Sequence, residues 1–233
     1  MTDAEGWYRV LTPSDPTTAL NEVVACRAEA ERADVAIDRV IAEHEAAGAP
    51  LKWVEWPEGL DRGGGIPGLA GRLEERGFRS WEARALALGL AGRQGSATPG
   101  VEPVGVDQLE AWAAVLSAGW GQPVEGVRLD CRRALADPRR GAFLAYVEGQ
   151  PVGTAGYVLS ERSAYLTGAV VLPEFRGRGL YRALIEARLE AARAAGRALA
   201  TTHARPTSAP LLERLGFEVL ARYRCWANDA PEG

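Results

Sequence analysis

Residues 170–192 read VVLPEFRGRGLYRALIEARLEAA. Pro173, Gly177 and Gly179 followed by an apolar-periodic run place a helix start near Gly179. Leu180, Leu184, Ala187, Ala191 and Ala194 follow at near-3.6 spacing, and Gly196 is the expected C-terminal stop. The approach and first turn carry Arg176, Arg178 and Arg182. A helix N-terminus is the positive end of the macrodipole, and each unopposed cation there costs roughly 0.3–1 kcal/mol. An anion is therefore expected. Glycines let backbone N–H groups approach it closely, the dipole favours it, and arginines at the edge pair with phosphate. The stretch reads as a phosphate or pyrophosphate cradle, against the alternative of a tight glycine turn with solvated arginines.

Nucleotide folds are narrowed by their spacings. No GxxxxGK[ST] is present, and GRGLYR departs from GxGxxG at Arg182. The second Gly-rich stretch, DRGGGIPG at residues 61–68, follows a Trp-rich segment and lacks a basic edge, so it reads as a loop.

Outward from the cradle, residues 124–136 and 107–117 read as helices, the latter with Asp107 as its N-terminal residue. Residues 141–149 and 151–160 form a hairpin about Glu148, Gly149 and Gln150, and residues 164–172 a third strand leading into the cradle. Beyond Gly196 come a strand at 197–204, a short helix at 208–216 and a last strand at 217–226. Before the Gly/Ser/Thr/Pro-rich break at 92–100, the pattern predicts a strand at 7–11, a long helix over 17–47, a strand at 51–56, a helix at 68–76 and a strand at 78–88. The order predicts an α/β (α+β) protein in two units, 1–98 and 99–233. LEERGF at 73–78 and LERLGF at 212–217 match at an offset of 139, which suggests a duplication; helix-Gly-apolar is also a common C-cap solution.

The net charge of -4 and pI near 5.4 supply no global basic field, so neither nucleic acid nor an anionic membrane is an expected partner. Residues 1–98 hold 11 basic against 16 acidic side chains and the remainder 16 against 15, so the second half is slightly basic. No apolar run approaches the roughly 20 residues of a bilayer span, and MTDAEGWYRV is not a signal peptide, which predicts a cytoplasmic protein. Cys26, Cys131 and Cys225 are widely spaced and odd in number, and His44 and His203 are the only histidines, so no metal site is expected.

VVLPEFRGRGLYRAL resembles the acetyl-CoA pyrophosphate motif of the GNAT superfamily of N-acetyltransferases, V-x-P-x-x-[RQ]-G-x-G-[ILV]-[GA], in Val171, Pro173, Arg176, Gly177, Gly179 and Leu180. The element order over 101–226 resembles that family too. The resemblance implies a mixed, mostly antiparallel twisted sheet flanked by helices, preceded by a degenerate N-terminal repeat without a cofactor turn. It implies acetyl-CoA as cofactor, with the pyrophosphate on Arg176, Gly177, Arg178, Gly179, Leu180 and Tyr181 and the pantetheine arm along Ala169, Val170 and Val171. Direct acyl transfer to an amine follows, with a small-molecule or a peptide or protein amine as acceptor. The alternative is a catalytically silent CoA-binding sensor.

Three positions depart from the family pattern: Tyr181 stands where Gly or Ala is usual, Arg205 where many members carry Asn, and Leu212 where they carry the thiolate-protonating Tyr. Tyr165, Ser208 and Glu148 are the substitute catalytic candidates, with Glu161 a further candidate base; by residue type each reads more readily as sheet packing, helix cap or solvated turn. Trp120, Glu125 and His203 are the candidate acceptor-binding residues, the first two on a Gly-rich segment, 119–127, that reads as a lid or a surface loop. The protein is expected to be a monomer or a homodimer.

Overall fold

The computed structural model describes residues 7–14, 18, 21–57, 65–92 and 99–228. The chain divides into two compact units: Met1–Ala85 with Ala204–Ala209 and Val219–Gly233, and Leu86–His203 with Pro210–Glu218. The C-terminal strand thus counts with the N-terminal unit, because it pairs there.

In the first unit, β1 (Tyr8–Val10) and β2 (Glu22–Ala25) are antiparallel, and β2 is parallel to β3 (Lys52–Glu55) through Glu22↔Lys52 and Val23↔Trp53. The crossover between β2 and β3 is α1 (Ala33–Ala46), as parallel pairing requires. After α2 (Leu69–Glu75) the chain enters β4 (Arg79–Gly89), whose residues 79–85 belong to this unit. β10 (Glu218–Ala227) lies between β3 and β4, antiparallel to β3. Trp7, Trp53, Trp226, Ile37 and Leu73 are fully buried, and Trp7 meets Trp53 edge-on at 5.9 Å between ring centroids.

The helix expected over 17–47 is instead β2, a 3-10 turn at Ala30–Arg32 and α1. Val23 is β-branched and gains more from the ladder with β3 than from a helix, so the tertiary pairing overrides the Ala/Glu-rich composition. The expected start of that helix, at Thr17, lies outside the described residues, as do 93–98 of the predicted break and 61–64 of the Gly-rich loop.

His44 is buried on α1. Its Nδ1 lies 2.9 Å from Pro50 O, which assigns the ring proton to Nδ1. Burial holds its pKa below the ordinary value, opposed by the bond to Pro50 O; Arg9 adds to the lowering and Glu43 opposes it. As the pH falls, the unfolded chain takes up the second ring proton before the folded one. The contribution is therefore full above the ordinary histidine pKa of about 6.5 and declines below it. Melting temperatures measured between about pH 8 and pH 5 are expected to fall at the acid end, with a shallower fall for His44→Gln; equal slopes would refute the assignment.

In the second unit the strand order is β4-β9-β8-β7-β6-β5, with β4 contributing residues 86–89. β5 (Val101–Pro103), β6 (Arg140–Val147), β7 (Gln150–Leu159) and β8 (Ser163–Val171) form an antiparallel meander. β9 (Leu199–Ala204) returns parallel to β8 after α5 (Leu180–Ala194). One face of the meander buries Ala142, Leu144 and Val170 against α3 (Leu109–Trp120) and α4 (Val124–Ala136); the other packs Ala145, Ala155 and Val171 against Leu184 of α5.

Two details of this unit differ from expectation. Asp107 sits within a 3-10 turn, Val106–Gln108, and the cap is the Gly105 N–H donating to Gln108 Oε1 at 2.8 Å. On α5, Leu184 and Ala187 are buried as predicted, but Ala194 is exposed and the buried face runs on through Arg188 and Ala192. The buried face follows i,i+3 and i,i+4 steps from Leu184 and Ile185 to Arg188, Leu189 and Ala192, so the row Leu180, Ala187, Ala194 runs off it toward the C-terminus, and a charged residue lies within it.

α6 (Ala209–Arg214) ends as α2 does. Gly77 and Gly216 adopt φ 80° and 93°, and the N–H groups of Phe78 and Phe217 donate to Leu73 O and Leu212 O at 3.0 and 3.1 Å. Both matching stretches therefore close their helix with the same left-handed glycine cap.

Candidate functional site

The pairing of β8 with β9 runs from Ser163↔Leu199 to Leu166↔Thr202. β8 continues to Val171, so 167–171, with Ala169, Val170 and Val171, lie beyond that ladder on the β9 side. Within the same stretch the register against β7 shifts between Gly156↔Thr167 and Thr154↔Val170. Ala155 thus faces two residues, Gly168 and Ala169, a bulge that needs the left-handed φ of 60° at Gly168. A strand edge that leaves its neighbour beside a bulge can take an extended ligand as an added strand.

β8 leads through a 3-10 turn, Pro173–Phe175, to the cradle at the head of α5. Gly177 and Gly179 have φ 77° and 79°, and no atom would lie within 4 Å of a Cβ on either, so the space beside their backbone is open. Gly179 is the residue preceding the first turn of α5, where the helix's own N–H groups are unsatisfied. Arg176 Nε donates to Val171 O at 3.2 Å and so fastens the end of β8 to the turn. Arg178 stacks over the Phe175 ring at 5.3 Å. Tyr181 packs with Leu180 and Phe175 on the apolar cluster beneath α5, so its ring leaves the turn unobstructed.

Tyr165 and His203 are brought together: their rings meet edge-on at 5.7 Å, both on exposed positions of β8 and β9. Glu148 is not brought to them. It forms the two-residue hairpin turn with Gly149, in a left-handed conformation (φ 51°), whereas Tyr165 pairs with Val158. Eight strand positions at about 3.3 Å each separate Gln150 from Val158, roughly 26 Å. Glu161 lies at the opposite turn, where its carbonyl accepts from Arg197. Ser208 falls in the other unit, and its hydroxyl donates to Arg205 O at 3.3 Å, a helix-start arrangement. Leu212 is buried.

The segment 119–127 is not a loop. α3 runs to Trp120, Gly121 closes it with φ 65°, and α4 begins at Val124. Ser117 Oγ donates to Gln122 O at 2.6 Å and tightens the corner. Trp120 is half-exposed at this corner, and Glu125 on the first turn of α4 lies 3.9 Å from Arg128. α3 comes so close to β8 that a Cβ on Gly119 would sit 2.2 Å from Val170 Cγ2.

Three positions that shape the site were not singled out from sequence. Gly168 carried a weak signal, a glycine inside a strand pattern. Gly119 and Arg188 carried none, since one depends on how closely α3 approaches β8 and the other is a charge on a buried helix face.

Burial pushes the Cys26 and Cys131 thiols up to about 12 and Cys225 up to about 11, so all three are protonated at neutral pH and unsuited to nucleophilic roles. Among the described residues no group of three or more His, Cys, Asp or Glu could hold a metal ion, and no helix is long and apolar enough to cross a membrane.

Residues 107–217 match the model of the Acetyltransferase (GNAT) family. A GCN5-related N-acetyltransferase from Kribbella flavida is 20% identical and superposes with a TM-score of 0.65 over 94% of this chain and 84% of its own. The chain carries the GNAT fold. A GCN5-related N-acetyltransferase from Sphaerobacter thermophilus shares that GNAT fold at 16% identity and TM-score 0.61, over 82% of this chain and 64% of its own. A conserved protein of unknown function from Staphylococcus epidermidis matches over 97% of this chain and 92% of its own, at 17% identity and TM-score 0.73. No curated protein sequence matches. In this GNAT fold β6 to β8, the cradle and α5 all lie within the segment matched by the family model, and β5 lies just before it.

Proposed function

We propose that the protein is an acetyl-CoA-dependent N-acetyltransferase acting on an amine, a small molecule or a peptide or protein amine. The observation that carries the proposal is one continuous path: the β8 edge at 167–171, the Pro173–Phe175 turn and the open glycine cradle at the head of α5. Backbone amides from Gly177 to Tyr181 would hold the pyrophosphate, with Arg176 and Arg178 at its edge, and Ala169, Val170 and Val171 would bond the pantetheine arm. Acetyl-CoA supplies an activated acyl group. The chain's part is to extend it along β8 and to present it to the acceptor beside Tyr165 and His203, with Trp120 and Glu125 at the neighbouring helix corner. An amine arriving deprotonated needs no strong base, since positioning alone supplies several kcal/mol.

Thermal unfolding tests the cofactor. Acetyl-CoA at one hundred times its Kd is expected to add about 2.7 kcal/mol of stability, with no effect of ATP or NAD; absence of a shift at millimolar acetyl-CoA would refute the reading.

Leu212 favours a second reading, a CoA-binding sensor without catalysis, because a buried leucine stands where the family resemblance leads one to expect a tyrosine. Thiol release from acetyl-CoA, screened over amines, amino acids, aminoglycosides and peptides, separates the two; one robust acceptor excludes the sensor.

We further propose that residues 1–98 are a degenerate copy of the 99–233 unit. In support, a parallel strand pair joined by a helix and followed by a glycine-capped helix occurs in both, as β2, α1, β3, α2 and as β8, α5, β9, α6. A cavity of about 440 Å³ at the ends of β2 and β3 is lined by Cys26, Glu55, Trp56 and neighbours, with Glu55 the charged group among them. An acidic lining is unsuited to a pyrophosphate, which agrees with a single cofactor site.

A further inference from the structure

Arg188 is 2% exposed on the face of α5 that meets the sheet. Its Nε donates to Leu184 O at 3.0 Å, and its Nη1 lies 3.3 Å from Gly156 O and 3.5 Å from Thr167 O. Burial lowers its pKa to about 10, opposed by the Tyr181 phenol, so the guanidinium stays charged at neutral pH. Among the described residues its hydrogen bonds go to these three carbonyls and to no carboxylate. A buried cation without a counter-charge is expensive, and a Met or Leu would fill the same space without that penalty.

The two carbonyls across the sheet belong to Gly156 and Thr167, the register pair immediately before the bulge. One nitrogen within reach of both places the Thr167 carbonyl on the β7 side of β8. The Thr167–Gly168 peptide is trans and planar, so the Gly168 N–H points to the opposite side, where β8 has left β9. Hydrogen bonding at the carbonyl also strengthens the N–H of the same peptide as a donor, by about 10–30%.

We propose, on the acetyl-CoA reading above, that Arg188 is a positioning residue for the acyl group: it fixes and polarises the Thr167–Gly168 peptide so that the Gly168 N–H meets the thioester carbonyl. α5 thereby serves the cofactor twice, through its N-terminal cradle and through this clamp about nine residues, or roughly 13 Å, further along. The role is distinct from strengthening the fold, since it predicts a change at the bound carbonyl rather than in affinity.

Isotope-edited infrared spectroscopy of acetyl-CoA carrying 13C at the thioester carbonyl reads that change directly. In the wild type, the carbonyl band of the bound ligand is expected at lower wavenumber than in free acetyl-CoA. Arg188→Met is expected to lose most of this displacement while its acetyl-CoA Kd stays within about threefold. Arg188→Lys, which keeps a charge but not the two-carbonyl reach, is expected to fall between them, and it serves if the Met variant does not fold. A full band shift in a folded variant that binds normally overturns the positioning role. No binding by the wild type overturns the acetyl-CoA reading itself, a different outcome seen before any variant is made.

Discussion

Replacing Gly179 by valine is expected to abolish the stabilisation by acetyl-CoA while the protein stays folded. Gly179 has φ 79° and ψ 0°, a left-handed conformation that a β-branched residue enters only at a strain of about 1–3 kcal/mol. That strain is the main penalty in the free protein, because a Cβ at this position meets nothing within 4 Å beyond the adjoining chain. The same open space is where an anion would meet the amides at the head of α5, so the valine methyls exclude it. Two effects therefore separate: a modest loss of stability without ligand and loss of the ligand-dependent gain of about 2.7 kcal/mol at one hundred times Kd. Melting curves with and without acetyl-CoA measure both, with Gly179→Ala expected between valine and the wild type. Unchanged affinity in the valine variant would remove the cradle from the site.

The same glycine shows why the cradle was legible in the sequence. A positive φ needs glycine, a helix start needs a stop before it, and three arginines at a positive helix end need an anion; each is a local rule, and they agree. α4 was legible to its boundaries for a similar reason, an apolar period framed by Pro123 and Asp137. The 17–47 region was not, because Ala and Glu are equally at home in α1 and in the approach to it, and the choice was made by Val23 pairing with Trp53 some thirty residues away. The bulge at Gly168 depends on register against β7, and the clamp at Arg188 on which carbonyls that bulge turns toward α5. Neither exists until the sheet is assembled. The left-handed glycine turn at the head of α5 could therefore be read directly, while the bulge in β8 and the buried Arg188 could not. Tyr165 and His203 illustrate the same division: each was a candidate by type, and only the parallel register of β8 and β9 brings their rings to 5.7 Å.

Gly119→Ala is expected to destabilise the protein, although alanine is the better helix former. Alanine in α3 would gain about 1 kcal/mol over glycine from helix propensity if the space were open. It is not: the new Cβ would lie 2.2 Å from Val170 Cγ2, 2.9 Å from Cγ1 and 3.1 Å from Cβ. The first two distances are far inside contact, so α3 or β8 must shift, and overpacking of this kind costs about 1–3 kcal/mol. Val170 is also part of the strand edge assigned to the pantetheine arm. A shift that relieves the overlap therefore moves that edge, and acetyl-CoA affinity is expected to fall together with the melting temperature. Val170→Ala removes both Cγ atoms and leaves the 3.1 Å approach, which a displacement of a few tenths of an ångström relieves. Alone, it removes buried apolar contacts and destabilises; combined with Gly119→Ala, it lets the two alanines share the space. The double variant is expected to be more stable than the sum of the singles by about 0.5–3 kcal/mol, with acetyl-CoA binding partly restored. Additive losses, or a Gly119→Ala protein as stable as the wild type, would mean that α3 can withdraw from β8 freely. The packing of Val170 against Gly119 would then not be what holds the cofactor edge in place.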